Sequence, residues 1–217
     1  MDENLKELII ITFIVAFLLG LSLGLLFNIE PVKANFVSSE YENTEIAQHL
    51  DVITHIRSTI LIHSMIENEI RYWHYGNPSD EDVRRKATLL YGYALRYDLN
   101  PFFITALAIT ESNLTQNITS YAGAIGVMQL MPRTANYLEV NPYTLEGNIK
   151  GGVKFIQQLI NEYDCPNLAL AHYNAGVNPE RKIHWKPVSS YVWNINNIMS
   201  TLQRRYEDEL EKRSGEY

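Results

Sequence analysis

Cysteine is nearly absent from this chain: Cys165 stands alone among 217 residues. That excludes an internal disulfide framework, a zinc cluster of several thiolates and a CxxC redox pair. Cys165 is left as a small buried apolar residue or a lone nucleophile, and the first is expected. An excess of positive charge is lacking too. The net charge is −7, and residues 79–200 are neutral, with ten acids and ten bases. No basic stripe tracks phosphates, which argues against a nucleic-acid partner. Long strand-patterned runs and internal repeats are also missing. His49, His55, His63 and His74 contain no pair four residues apart, so no metal-binding helix face is signalled and no metal or cofactor is expected. Wholesale disorder is excluded by a composition that is 46% hydrophobic and 20% charged.

What the chain does have begins at Leu8. Residues 8–27 read LIIITFIVAFLLGLSLGLLF, twenty positions without a charge. A helix of that length spans about 30 Å, the thickness of a hydrocarbon core. No face of it is polar, so a globular helix is disfavoured and a transmembrane anchor is expected. A cleavable signal peptide is the rival reading, with Val32-Lys33-Ala34 as a small-residue cleavage site. Lys6 and Lys33 flank the run almost symmetrically, so charge does not orient it.

Beyond this run the pattern is helical. Residues 28–43 read as a linker with Pro31 and a polar stretch. From Thr44 the apolar positions Ile46, Leu50, Ile53, Ile56, Ile60, Ile66, Ile70 and Trp73 predict an amphipathic helix over 44–76. Ser79 followed by three acids starts the next helix, with Val83, Ala87, Leu90, Ala94 and Leu95 inward. Asn100-Pro101 starts another whose body, FFITALAIT, is almost wholly apolar. Further helices are expected over Gly147–Tyr163, Leu168–Tyr173 and Ser189–Arg205. The organisation is thus a head (1–7), an anchor (8–27), a linker (28–43), a long helix (44–76), a mainly helical domain (79–200) and a charged tail (201–217). The tail reads as a fraying, solvated helix end.

One residue breaks the local rule. Glu111 ends an apolar helical run in which no other charge occurs. Desolvation and the negative end of a helix both disfavour its anion, so its pKa should rise and the carboxyl should hold a proton near neutrality. The bland alternative is a helix-end glutamate paired with Arg96 or Arg133. The following stretch, Ser120 to Gln129, is rich in glycine and alanine and suits the floor of a cleft. Tyr173-Asn174-Ala175-Gly176 adds an aromatic ring and an amide, groups that stack on sugar rings and bond hydroxyl or acetamido groups.

These residues match a family pattern. Glu111-Ser112-Asn113-Leu114, Ser120 with Gly123 to Ala135 (GAIGVMQLMPRTA), Asn148-Ile149 with Gly151-Gly152, and Ala169 to Gly176 (ALAHYNAG) resemble the soluble lytic transglycosylase (SLT) domain of goose-type-lysozyme-like enzymes. The likeness runs from about Val83 to Met199. It implies a mainly α, lysozyme-like fold and cleavage of the β-1,4 bond between N-acetylmuramic acid and N-acetylglucosamine in peptidoglycan. By motif position Glu111 would be the catalytic acid. Ser112, Ser120 and Gln129 would lie against the substrate, Met131 would shape the wall, and Tyr173, Asn174 and Tyr191 would contact the sugar. One departure is visible: where the family usually has Glu-Thr shortly before Tyr191, this chain has Pro187-Val188, so a second carboxylate is missing.

With a single candidate carboxyl, the expected route has Glu111 acting as acid and then base to form a 1,6-anhydro ring without a cofactor. Hydrolysis of the same bond, or a non-catalytic membrane-tethered glycan-binding module, are the alternatives. Peptidoglycan lies outside the cytoplasmic membrane. The expected topology is therefore a single-pass inner-membrane protein anchored through 8–27 with its domain outside, or else a secreted or virion-associated form. Routine wall remodelling and local cleavage for a secretion, conjugation or phage assembly would suit the chain equally.

Overall fold

A computed structural model describes residues 39–176 and 185–214 of the chain. It divides into two compact units, Met1–Asp51 and Val52–Tyr217. The apolar run 8–27 lies outside the described residues. Among those described, no helix is long and apolar enough to cross a membrane, so the expected anchor has no support there. The described chain is mainly helical. Its elements are α1 (Ser39–Trp73), α2 (Asp80–Arg96), α3 (Pro101–Ser112), α4 (Pro132–Tyr137), α5 (Leu145–Tyr163), α6 (Pro166–Ala175) and α7 (Trp185–Ser214).

Several starts follow from side chains that accept bare backbone N–H groups. Ser79 caps α2 by accepting from Asp82 N at 3.2 Å. Asn100 caps α3 by accepting from Phe102 N at 2.8 Å, with Pro101 in the first turn. Thr144 caps α5 by accepting from Gly147 N at 3.1 Å, so this helix starts at Leu145 rather than at the glycine. Helix α1 begins at Ser39, inside the stretch expected as linker. The short α4 was not expected, although Pro132 at its first position is a start signal.

Helix α3 supplies the centre. Every side chain from Phe102 to Ile109 is buried, each contributing about 1.5–3 kcal/mol where it is fully withdrawn from water and large. Neighbours run from α2 to α3, α7, α6, α5 and back to α2, a closed ring. The main core within it includes Leu90, Ile104, Leu107, Met128, Ile156 and Ile195. Leu61 and Met65 of α1 join Phe102 and Leu202 in a second cluster.

Four expectations are corrected in detail. Only the C-terminal part of the apolar pattern on α1 is buried (Leu61, Met65, Ile66, Ile70), while Ile53, Ile56 and Ile60 are exposed. Leu95, expected inward, is 53% exposed, whereas Lys86 on the same helix is buried against Asp82 at 2.5 Å. The stretch read as a solvated tail continues α7 to Ser214. Leu202 is buried, Arg205 bonds Glu69 at 2.6 Å, and the Tyr206 ring lies 5.7 Å from Phe102. Cys165 is also only partly buried, at the N-cap of α6.

Candidate active site

Helix α3 ends where its apolar run meets Glu111. Asn113 (φ 49°) and Leu114 (φ 60°) both adopt left-handed backbone and turn the chain away after Ser112. Glu111 is thereby held at the rim of the core. Burial pushes its carboxyl from 4.5 up to about 7, against the opposing effect of a hydrogen bond from Tyr191. The Tyr191 hydroxyl donates to Oε1 of Glu111. Among the described residues nothing bonds Oε2 and no cation pairs with the carboxylate; Arg96 and Arg133 are both exposed. The phenol of Tyr191 is itself pushed well up by burial and by the neighbouring Glu111 charge. It therefore stays protonated and remains a donor.

The floor is the segment Ile125–Leu130, and its backbone is almost fully paired, as a buried segment requires. Ile125 and Leu130 exchange bonds at 2.9 and 3.1 Å, and Gly126 N donates to Ile118 O at 2.9 Å. Ser112 Oγ donates to Val127 O at 2.7 Å. Tyr173 donates its hydroxyl to Met128 O, also at 2.7 Å. Asn148, fully buried on α5, accepts from Met128 N at 2.8 Å and donates to Ile125 O at 2.7 Å and Pro142 O at 3.0 Å. The glycines serve this packing. A Cβ at Gly126 would stand 2.6 Å from Asn148 Nδ2, and one at Gly152 would stand 2.4 Å from Met128 Cβ.

The residues expected at the site divide into two groups. Glu111 and Tyr191 are brought into direct contact. Ser112 is buried and its hydroxyl is engaged with the floor, also accepting from Thr115 N at 3.1 Å. Ser120 Oγ accepts from Ala124 N at 3.0 Å and shapes the preceding turn. Gln129 sits at φ 43°, with its amide donating to Gly126 O at 3.0 Å, a left-handed position that a non-glycine residue occupies at some strain. Tyr173 packs its ring 5.3 Å from Phe155. Burial raises its phenol well above its ordinary value, helped by the nearby Glu111 charge. Asn174 and Met131 are exposed, Met131 at the N-cap of α4. The side chains of Pro187 and Val188 lie outside the described residues.

An open groove of about 720 Å3 is lined by Thr110, Ser189, Ser190, Tyr191, Trp193 and Asn194; Glu111 itself is not among its lining residues, although its partner Tyr191 is. Asn194 donates to Thr110 Oγ1 at 3.1 Å, tying α7 to the last turn of α3. Trp193, 67% exposed, and Asn194 were missed from sequence. Their signal was position: Asn194 lies three residues after Tyr191, on the same helix face. Among the described residues no group of three or more His, Cys, Asp or Glu side chains is gathered to hold a metal.

Residues 89–194 match the family described as Transglycosylase SLT domain. A protein described as "Transglycosylase" from Enterobacteria phage PRD1 is 39% identical over 84 residues, which are 38% of this chain and 32% of that protein. The chain thus matches about a third of that relative's length. Among solved structures, an inactive mutant of the lytic transglycosylase Slt from Pseudomonas aeruginosa aligns with 24% identity and a TM-score of 0.49, covering 59% of this chain and 26% of that one. The 70 kDa soluble lytic transglycosylase from Escherichia coli aligns with 20% identity and a TM-score of 0.49, covering 66% and 29%.

Proposed function

We propose, from the premise that residues 89–194 of this chain are a transglycosylase SLT domain, that the protein is a peptidoglycan lytic transglycosylase in which Glu111 is the catalytic acid and base. The observation that carries this is a buried carboxyl raised to about 7, unpaired with any described cation and steadied on one oxygen by Tyr191. Such a group is part protonated at neutral pH and part ionised, which is what a residue needs to give a proton and then take one.

In the first step Glu111 protonates the glycosidic oxygen, and the C1–O bond breaks. The N-acetyl group of the muramic acid residue stabilises the positive charge that develops at C1. In the second step the Glu111 carboxylate takes the proton of the C6 hydroxyl, and that oxygen bonds to C1. The products are a 1,6-anhydromuramic end and a free hydroxyl on the leaving sugar. No water is consumed and Glu111 ends protonated, as it began. The other acids of the domain support a one-carboxyl route: Glu139, Glu162 and Asp164 are exposed, and Glu146 accepts from Tyr93 at 2.9 Å. A domain acting on peptidoglycan belongs outside the cytoplasmic membrane, which supports an outward topology for the chain after residue 27.

The test is digestion of purified sacculi. Mass spectrometry should find anhydromuropeptides, and Glu111→Gln should abolish their release while remaining folded. Products with only reducing ends would replace this route by hydrolysis. Wild-type release by Glu111→Gln would remove Glu111 from the mechanism.

A further inference from the structure

A second trough, of about 600 Å3, lies between the C-terminal turns of α1 and the middle of α7. Asn194 lines both this trough and the groove at Tyr191, so the two are neighbours along α7. Tyr191, Asn194, Asn197 and Thr201 follow at steps of three and four and share one face of α7. At 1.5 Å per residue that row runs about 15 Å from the Glu111 partner. The opposite wall is Tyr72 and Trp73 of α1, perpendicular rings with centroids 5.1 Å apart. Tyr72 is 78% exposed, so its ring faces are available.

Beneath them Glu69 is 8% exposed. It accepts from the Trp73 indole at 3.0 Å and from Arg205 at 2.6 Å. The indole and the guanidinium are therefore fixed before anything binds, which lowers the ordering cost of binding. Glu69 and Arg205 also cancel each other's charge, and the remaining lining is carboxamide, hydroxyl and aromatic with two aliphatic side chains, Ile198 and Leu202. A simple helix–helix seam would be filled with apolar side chains at interior density; this one is open, and carboxamides and a hydroxyl share its walls with Ile198, Leu202 and the aromatic rings.

We propose that this trough is a distal glycan subsite, which holds an N-acetylated sugar strand several rings away from the cleavage point. Tyr72 stacks on a sugar face, and Asn194 and Asn197 bond hydroxyl and acetamido groups. The inference rests on the peptidoglycan reading above. Apart from Asn194, its walls, residues 68–73 and 197–205, lie outside the matched span 89–194, so most of the subsite is built from chain beyond that span. It would make the protein favour long strands over short fragments.

The test uses the full chain carrying Glu111→Gln, so that strands are bound but not consumed. Peptide-free glycan strands separated by length are titrated calorimetrically against this protein and against versions with Tyr72→Ala or Asn197→Ala added. Both residues are exposed, so neither change disturbs the core. Long strands should bind about three- to tenfold more weakly to each added variant, while the shortest fragments bind unchanged. Equal affinity at every length, or an equal loss at every length, would overturn the subsite alone. A parent protein that binds no strand of any length would overturn the peptidoglycan reading and the subsite with it.

Discussion

Replacing Glu111 by glutamine should make the protein more stable, and by an amount that depends on pH. Folding raises the carboxyl from 4.5 to about 7. The native state then binds this proton more tightly than the unfolded chain does. Stability is therefore lost as pH rises from about 4.5 to about 7, and stays lost above that. The gap is about 2.5 pH units, and at 1.36 kcal/mol per unit the loss is about 3 kcal/mol. Glutamine has no proton to lose and can still accept from Tyr191. The stability difference between Glu111→Gln and wild type should grow by about 3 kcal/mol between pH 4 and pH 8.5. For a domain of this size that is roughly 6–12 °C in Tm. Urea unfolding at a series of pH values, with m checked for constancy, measures it directly. A difference that is flat with pH, or that grows towards acid, would refute the burial of Glu111 as an ionisable group.

Three further outcomes follow from the same geometry. Tyr191→Phe removes the donor that favours the Glu111 anion, so the alkaline limb of sacculus digestion should move up by about one pH unit; an unmoved limb, or one shifted to acid, would separate Tyr191 from the acid. Asn148→Ala strips partners from Met128 N, Ile125 O and Pro142 O in a buried site, and urea titration should show a loss of about 3 kcal/mol; a loss under about 0.5 kcal/mol would mean the floor does not depend on it. Gly152→Ala drives a Cβ against Met128 and should cost about 1–3 kcal/mol along with sacculus-digesting activity, whereas Gly92→Ala, with nothing within 4 Å, should leave activity intact; equal behaviour of the two would show that the floor tolerates displacement.

Much of this arrangement was legible in the order of residues because it is local. Caps at Ser79 and Asn100 sit beside the donors they satisfy, and Glu111 announces itself as the sole charge at the end of an apolar run. Resemblance to a family supplied Tyr191, which periodicity could not, since its bond to Glu111 spans 80 positions of sequence. What stayed hidden depends on partners far along the chain. Gly126 read as part of a cleft floor that backbone or ligand could approach. In the fold the space over it is taken by Asn148 of the same chain. Ser112 read as a substrate contact, yet its hydroxyl reaches Val127 O, fifteen residues on. The apolar pattern of α1 gave the helix but not the point at which its burial stops, because that is set by where Phe102 and Leu202 meet it.

The two influences on Glu111 pull in opposite directions, and the proposed route needs both. At an ordinary value of 4.5, about one carboxyl in 300 would be protonated at pH 7; at about 7, half are. Burial, net of the opposing Tyr191 bond, thus raises the population of competent acid by about 150-fold. The same shift makes the carboxylate a stronger base for the C6 hydroxyl in the second step. Burial carried further would leave a group that seldom ionises and so never returns to the acid form by the second step's proton. Tyr191 sets that limit: its hydroxyl favours the anion while occupying only one oxygen. On the proposed route a single carboxyl serves both steps because one tyrosine holds its two states close in free energy. That tyrosine comes from α7, the helix that packs directly against α3 and so can reach the carboxyl at its end.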